Sequence, residues 1–94
     1  MIYDLRFKED AKKEWDKLDK HIQEILKKKL KERLVDPKVV SAKLRGMNDC
    51  YKIKLRGSGH RLVYQIRDNE LVIVVIAVGK RDKNLVYKIA TKRM

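Results

Sequence analysis

Ninety-four residues make one domain with room for a single small core, burying about two-thirds of the surface its unfolded chain exposes. The 44% hydrophobic content with clear periodicity excludes a disordered chain, and the longest apolar run, eight residues, is too short to cross a bilayer. A formal charge of +12 is split unevenly, with +3 on residues 1–40 and +9 on residues 41–94, which suits nucleic acid or an acidic protein as partner and does not choose between them.

The opening residues, MIYDLRFKED, carry no signal-peptide core, and one cysteine, Cys50, excludes an internal disulfide and a cysteine-built metal cluster. A cytoplasmic protein is therefore expected. Residues 2–7 alternate Tyr3, Leu5 and Phe7 against Asp4 and Arg6, a short strand. From Glu9 the period changes, and Ala11, Trp15, Leu18, Ile22, Ile25, Leu26, Leu30 and Leu34 trace one helical stripe. A single helix over 9–35 would be about 40 Å long at 1.5 Å per residue. A domain of this size is only about 30 Å across. A break near Asp19 to His21 and a helical hairpin are expected, although neither Gly nor Pro marks the spot. Asp36-Pro37 ends the second helix, because the residue before proline is pushed out of the α region.

Residues 39–49 read as a connection anchored by Leu44, with Arg45-Gly46 a basic turn within reach of the next element. That element is CYKIKLRGSGHRLVYQ at 50–65. Tyr51, Ile53 and Leu55 alternate with Lys52, Lys54 and Arg56, and after Gly57-Ser58-Gly59 the alternation resumes with Arg61 against Leu62 and Tyr64. This is a β-hairpin with one apolar and one basic face. Keeping the apolar residues together requires paired residue numbers with an odd sum. A sum of 115 turns on Gly57-Ser58 and sets Lys54 opposite Arg61, whereas a sum of 117 leaves a four-residue loop and sets Arg56 opposite Arg61.

In either register cations face cations, an arrangement that costs on the order of 0.2–1 kcal/mol per pair. With no acidic residue between Cys50 and Arg67, the arrangement fits a polyanion site, the alternative being an exposed face made soluble by its charge. After a turn at 67–70, LVIVVIAV at 71–78 is apolar on both faces and reads as a central strand covered on both sides. Lys80-Arg81 emerge at its tip. Asp82 is a suitable N-cap for a last helix with the stripe Leu85, Val86, Ile89 and Ala90. Tyr87 falls off that stripe, either a surface tyrosine or an aromatic available to a base.

The sequence contains no P-loop, dinucleotide fingerprint, metal-ligand spacing or nucleophile elbow. His21 and His60 lie on different elements, which argues against a two-histidine ribonuclease, and no carboxylate joins the basic face to hold two metals. His60 adjoins that face, as a substrate contact or as a residue flanking the turn. What remains is Lys, Arg and Tyr. A lysine crowded by cations has its charged form disfavoured, which moves it toward use as a base, and arginine forks suit phosphoryl oxygens. Such a set can promote attack of a ribose 2′-hydroxyl on its own phosphate, provided the substrate is positioned for it.

KLRGM at 43–47, DCYKIKLR at 49–56, RLVYQ at 61–65, and VGKR at 78–81 followed by Tyr87 resemble the RelE family of bacterial toxins, and the similarity runs over essentially the whole chain. The resemblance implies a ribosome-dependent endoribonuclease that cuts mRNA in the A site by 2′-hydroxyl attack, without a cofactor or metal. It marks Lys52, Lys54, Arg61, Arg81 and Tyr87 as the catalytic constellation, with Lys52 or Lys54 as base, Arg61 on the phosphate, Arg81 at the leaving oxygen and Tyr87 at the bases. Arg45, Arg56, Lys80 and His60 are expected as further substrate contacts; His60 stands where tyrosine is common in the family. A cognate RelB-like antitoxin is also implied, which displaces the terminal helix or covers the basic face and binds operator DNA together with the toxin.

The fold expected from all this is an α+β domain, residues 1–94, with an N-terminal strand, a helical hairpin, three further largely antiparallel strands and a C-terminal helix. Its sheet is expected to be curved, with helices on one face. Two other activities stay open: a toxin of the same fold directed at DNA gyrase, and a module that binds RNA or the ribosome without cutting.

Overall fold

The computed structural model describes residues 3–80 and 85–93. Strand β1 (Asp4–Phe7) leads into α1 (Glu9–Asp16) and α2 (Lys20–Val35). A short 3-10 turn (Val40–Ala42) and an irregular stretch precede β2 (Cys50–Lys54), β3 (His60–Arg67), β4 (Val72–Lys80) and α3 (Leu85–Arg93). The sheet order is β1-β4-β3-β2. β4, β3 and β2 are antiparallel neighbours, and β1 lies parallel to β4. The doubly apolar run is thus an inner strand, as its composition requires.

The molecule measures 31 × 27 × 26 Å, and a continuous 9–35 helix would have overrun it. The break falls at residues 17–19, slightly before the expected position. Its carbonyls are satisfied without glycine. The Leu18 amide and the Gln23 side-chain amide both donate to Trp15 O, at 3.0 and 2.7 Å. Trp15 is buried and meets Phe7 edge-on, with ring centroids 5.3 Å apart. Helix α2 stops at Val35, before Asp36-Pro37, as expected.

Two cores flank the sheet. On one face Ala11, Trp15, Ile22, Leu26 and Leu30 of α1 and α2 pack on Ile53, Leu55, Leu62, Tyr64, Ile73 and Val75. On the other, Val86 and Ala90 of α3 pack with Cys50, Val63, Val74, Ile76 and Ala77, joined by Met47 from the connection. Helices on a single face are therefore not what forms. α3 takes the second face because β4 leaves that face apolar as well. A bulge in β4 assists: Val63 pairs with Ala77 but Tyr64 with Val75, so Ile76 is the extra residue and both Ile76 and Ala77 turn toward α3.

The hairpin adopts the register that sums to 115, from Cys50 opposite Gln65 to Lys54 opposite Arg61. The turn differs from the expected two-residue one. Leu55 N–H donates to His60 O and Gly59 N–H to Leu55 O, both at 2.9 Å, so residues 56–59 form the loop. Gly59, at φ +77°, supplies the left-handed residue that closes it.

Candidate active site

The basic residues of the hairpin converge because register and alternation leave them no choice. Lys54 and Arg61 are directly opposite, and Lys52 is opposite Val63, which belongs to the α3-side core. Lys52, Lys54 and Arg61 therefore share the face that carries α3. Lys54 is exposed, and Lys52 and Arg61 are half-buried. The adjacent Lys52 ammonium, by its charge and by a hydrogen bond, moves the Lys54 pKa below the ordinary lysine value. Slight desolvation and the Arg61 and Arg56 charges act in the same direction. No carboxylate is among these causes. Arg56, in the hairpin loop, belongs electrostatically to the same cluster.

The turn carrying Arg45 reaches this side as well. Leu44 and Met47 pack into the α3-side core, Thr91 Oγ1 of α3 lies 3.5 Å from Met47 Sδ, and Gly46 turns the chain at φ +75°. Arg45 itself is exposed. Tyr87 packs against the same core, on the face of Lys52, Lys54 and Arg61. Its hydroxyl is buried and has no hydrogen-bond partner among the described residues, a state that costs about 1–3 kcal/mol.

Not every expected site residue joins the cluster. His60 and Lys80 are directly paired across β3 and β4, one step out of phase with Arg61 and Gly79, so strand alternation turns them to the α1–α2 side. His60 Nδ1 lies 2.8 Å from Ser58 Oγ. Desolvation, with the Lys80 charge second, moves its pKa below the usual histidine value. Arg81 and the proposed cap Asp82 lie outside the described residues. Among the described residues, no group of three or more His, Cys, Asp or Glu could hold a metal ion.

The sequence reading missed the support of the site. Arg33 of α2 donates to Lys52 O at 3.2 Å and to Tyr64 Oη at 2.8 Å, and Tyr64 Oη donates onward to Pro37 O at 2.7 Å. Tyr64 is fully buried, and Tyr51 stacks on it with centroids 5.8 Å apart. The network fixes the backbone at Lys52 from the opposite face of the sheet. A signal existed, since Arg33 lies three residues after Leu30 on the flank of the apolar stripe, where a buried partner for a guanidinium is within reach. Cys50 sits beneath the site in the α3-side core, where burial and then the Asp49 charge push its thiol up to about 11, so it offers no nucleophile near neutral pH.

Residues 5–85 match the family model described as the ParE toxin of the type II toxin–antitoxin system parDE. The mRNA interferase toxin RelE of Escherichia coli K12 is 56% identical over 94 residues, covering 100% of this chain and 99% of its own. A doubly substituted E. coli RelE in the free state superposes with a TM-score of 0.92 at 55% identity, covering 100% and 99% of the two chains. The toxin in the intact E. coli RelBE toxin–antitoxin complex gives 0.83 at 57% identity over 85% of this chain and 98% of that one. With a matching model over most of its length, full-length relatives above half identity and a shared architecture, the chain belongs to the ParE/RelE family of type II toxin–antitoxin toxins.

Proposed function

We propose that this protein is an endoribonuclease toxin that enters the ribosomal A site and cuts the mRNA codon presented there, stopping translation. The observation that carries the proposal is the cluster of Lys52, Lys54 and Arg61 on one face, the face on which Tyr87 packs, with no carboxylate of the described residues among the causes that shift Lys54. In the reaction, neutral Lys54 Nζ takes the 2′-hydroxyl proton and the oxygen attacks the adjacent phosphorus. Arg61 binds the non-bridging oxygens as charge accumulates on them, with Lys52 adding a second cation. The P–O5′ bond then breaks, and the departing oxygen takes a proton from Arg81 or from solvent held by it, leaving a 2′,3′-cyclic phosphate and a 5′-hydroxyl. Tyr87 orients the nucleotide, and Arg45 and Arg56 hold flanking phosphates. His60 and Lys80, paired across the strands on the other face, would meet RNA only outside the cleaved codon. No cofactor or metal takes part.

The same reading places the protein in the cytoplasm with the ribosome, and no described helix is long and apolar enough to cross a membrane. A cognate RelB-like antitoxin of opposite charge would neutralise the basic face and confer operator binding on the pair. The test incubates the purified protein with mRNA-programmed ribosomes carrying an empty A site, beside the same mRNA alone, and maps product 5′ ends. A single cut inside the A-site codon is expected, absent from naked mRNA and from the Arg61→Ala protein. The family model is described by a ParE toxin and not by a ribonuclease, and a toxin of the same fold directed at DNA gyrase is the second reading. Intact mRNA together with inhibited gyrase supercoiling would select it, and ribosome binding without cutting would select a non-catalytic module.

A further inference from the structure

Helix α3 has little to hold it. It is nine residues long, below the length at which an isolated helix persists in water, and only Val86 and Ala90 are fully buried. It also carries the unsatisfied hydroxyl of Tyr87, which water would satisfy if the helix lifted away. Its far end, however, is tied to three other segments. Arg93 forks onto Glu14 of α1, Nη1 to Oε1 at 2.8 Å and Nη2 to Oε2 at 3.1 Å. The same Nη1 donates to Ile76 O at 2.8 Å, the carbonyl of the residue that the β4 bulge leaves out of register with β3. Lys8 Nζ donates to Arg93 O at 3.0 Å, and Glu14 Oε1 also accepts the Val78 amide at 3.3 Å.

This ion pair is unlike the others among the described residues. The Glu14 and Arg93 side chains are 28% and 19% exposed, whereas every other pair joins side chains at least 41% exposed. Bidentate, partly desolvated and cross-linked to backbone, it has the geometry in which a charge pair constrains position.

We infer that Glu14 is a positioning residue for the cleavage reaction: through Arg93 it clamps α3 to α1 and β4, and so keeps Tyr87 beside Lys52, Lys54 and Arg61. The inference rests on the reading of Tyr87 as a catalytic residue. Glu14 lies on the opposite face of the sheet from the lysines and touches no substrate; it acts from the closed end of the helix.

The experiment compares Glu14→Ala, Arg93→Lys and, as control, Lys12→Ala, which removes an exposed i,i+4 pair on the same helix and a cation–π contact with Phe7, and touches neither α3 nor Glu14. At saturating programmed ribosomes, Glu14→Ala is expected to cleave about tenfold more slowly, with half-saturation unchanged within about twofold. Arg93→Lys, which keeps the charge and loses the fork, should fall between. In a Tyr87→Ala background Glu14→Ala should add no further loss, since the clamp then has nothing to position. Amide exchange over 85–93 is expected to quicken about tenfold in Glu14→Ala and not in Lys12→Ala. Undiminished cleavage by Glu14→Ala, or a loss that multiplies with that of Tyr87→Ala, overturns the inference. Should the unaltered protein leave mRNA intact, the proposed function fails instead. The exchange measurement then decides the clamp, which unchanged exchange would overturn.

Discussion

Lys54→Ala is expected to slow A-site cleavage by about 10²- to 10⁴-fold, the usual loss on removing a positioned general base, with ribosome association weakened only a few-fold. The second number follows from charge, since one lysine of a +12 protein is a small part of the attraction to a polyanion. A base works in its neutral form. Lys54 owes its lowered pKa first to the Lys52 charge and hydrogen bond, so at any pH below that pKa a larger fraction of Lys54 is neutral than for an isolated lysine. Removing Lys52 raises the Lys54 pKa. The rising limb of the rate profile then moves to higher pH and the rate near pH 7 falls, while the plateau above both pKa values stays lower by what Lys52 contributes at the phosphate. Single-turnover rates on programmed ribosomes from about pH 6 to about pH 9.5 measure the shift of the rising limb. A Lys52→Ala profile lowered in parallel, with its limb unmoved, would show that Lys52 acts on the phosphate alone, and a Lys54→Ala rate within tenfold of the unaltered protein would remove Lys54 from the base role.

What could be read from the sequence was whatever period and pairing force. Alternation at 50–56 and 61–66 admitted two registers, and the one observed brings Lys54 opposite Arg61. The loop could not be read the same way, because a Gly57-Ser58 turn and a 56–59 loop closed by Gly59 keep that register equally well; the choice rests on one left-handed residue. Molecular size required a break in the 9–35 stripe, but its position depends on Gln23 reaching back to the Trp15 carbonyl, which no local pattern encodes. The two-faced apolar run of β4 demanded cover on both sides, yet the stripe of α3 is equally compatible with either face. Its side is settled by the Ile76 bulge and by a fork joining residues 79 positions apart. The cations were legible as a group, whereas counting strand phase across β3 and β4 was needed to separate His60 and Lys80 from it. Arg33 was hidden for the converse reason, a charged residue whose partners, Lys52 O and Tyr64 Oη, come from strands far along the chain.

The largest expected loss of stability lies at Tyr64. Tyr64→Ala removes a fully buried ring that stacks on Tyr51 and sits beneath the Arg33 guanidinium, 5.7 Å from the ring centroid. Truncating a buried aromatic costs about 3–5 kcal/mol, a large share of the 5–15 kcal/mol of a typical domain. At about 4–8 °C per kcal/mol, melting should fall by about 12–40 °C, leaving the variant largely unfolded at the upper end of that range. Tyr64→Phe separates packing from hydrogen bonding. The ring remains, Pro37 O loses its donor and Arg33 one of its two acceptors, at a cost of about 1–3 kcal/mol. Arg33 still reaches Lys52 O at 3.2 Å, so the backbone that carries the basic face should hold and the Phe variant should cleave within a few-fold of the unaltered protein below its melting point. Thermal melts beside cleavage rates make the distinction. If Tyr64→Phe stayed as stable as the unaltered protein but lost cleavage, the Tyr64 hydroxyl would matter to the site rather than to the fold. A loss of stability with cleavage retained assigns the Arg33–Tyr64–Pro37 chain to holding α2 against the sheet, on the face opposite the basic cluster.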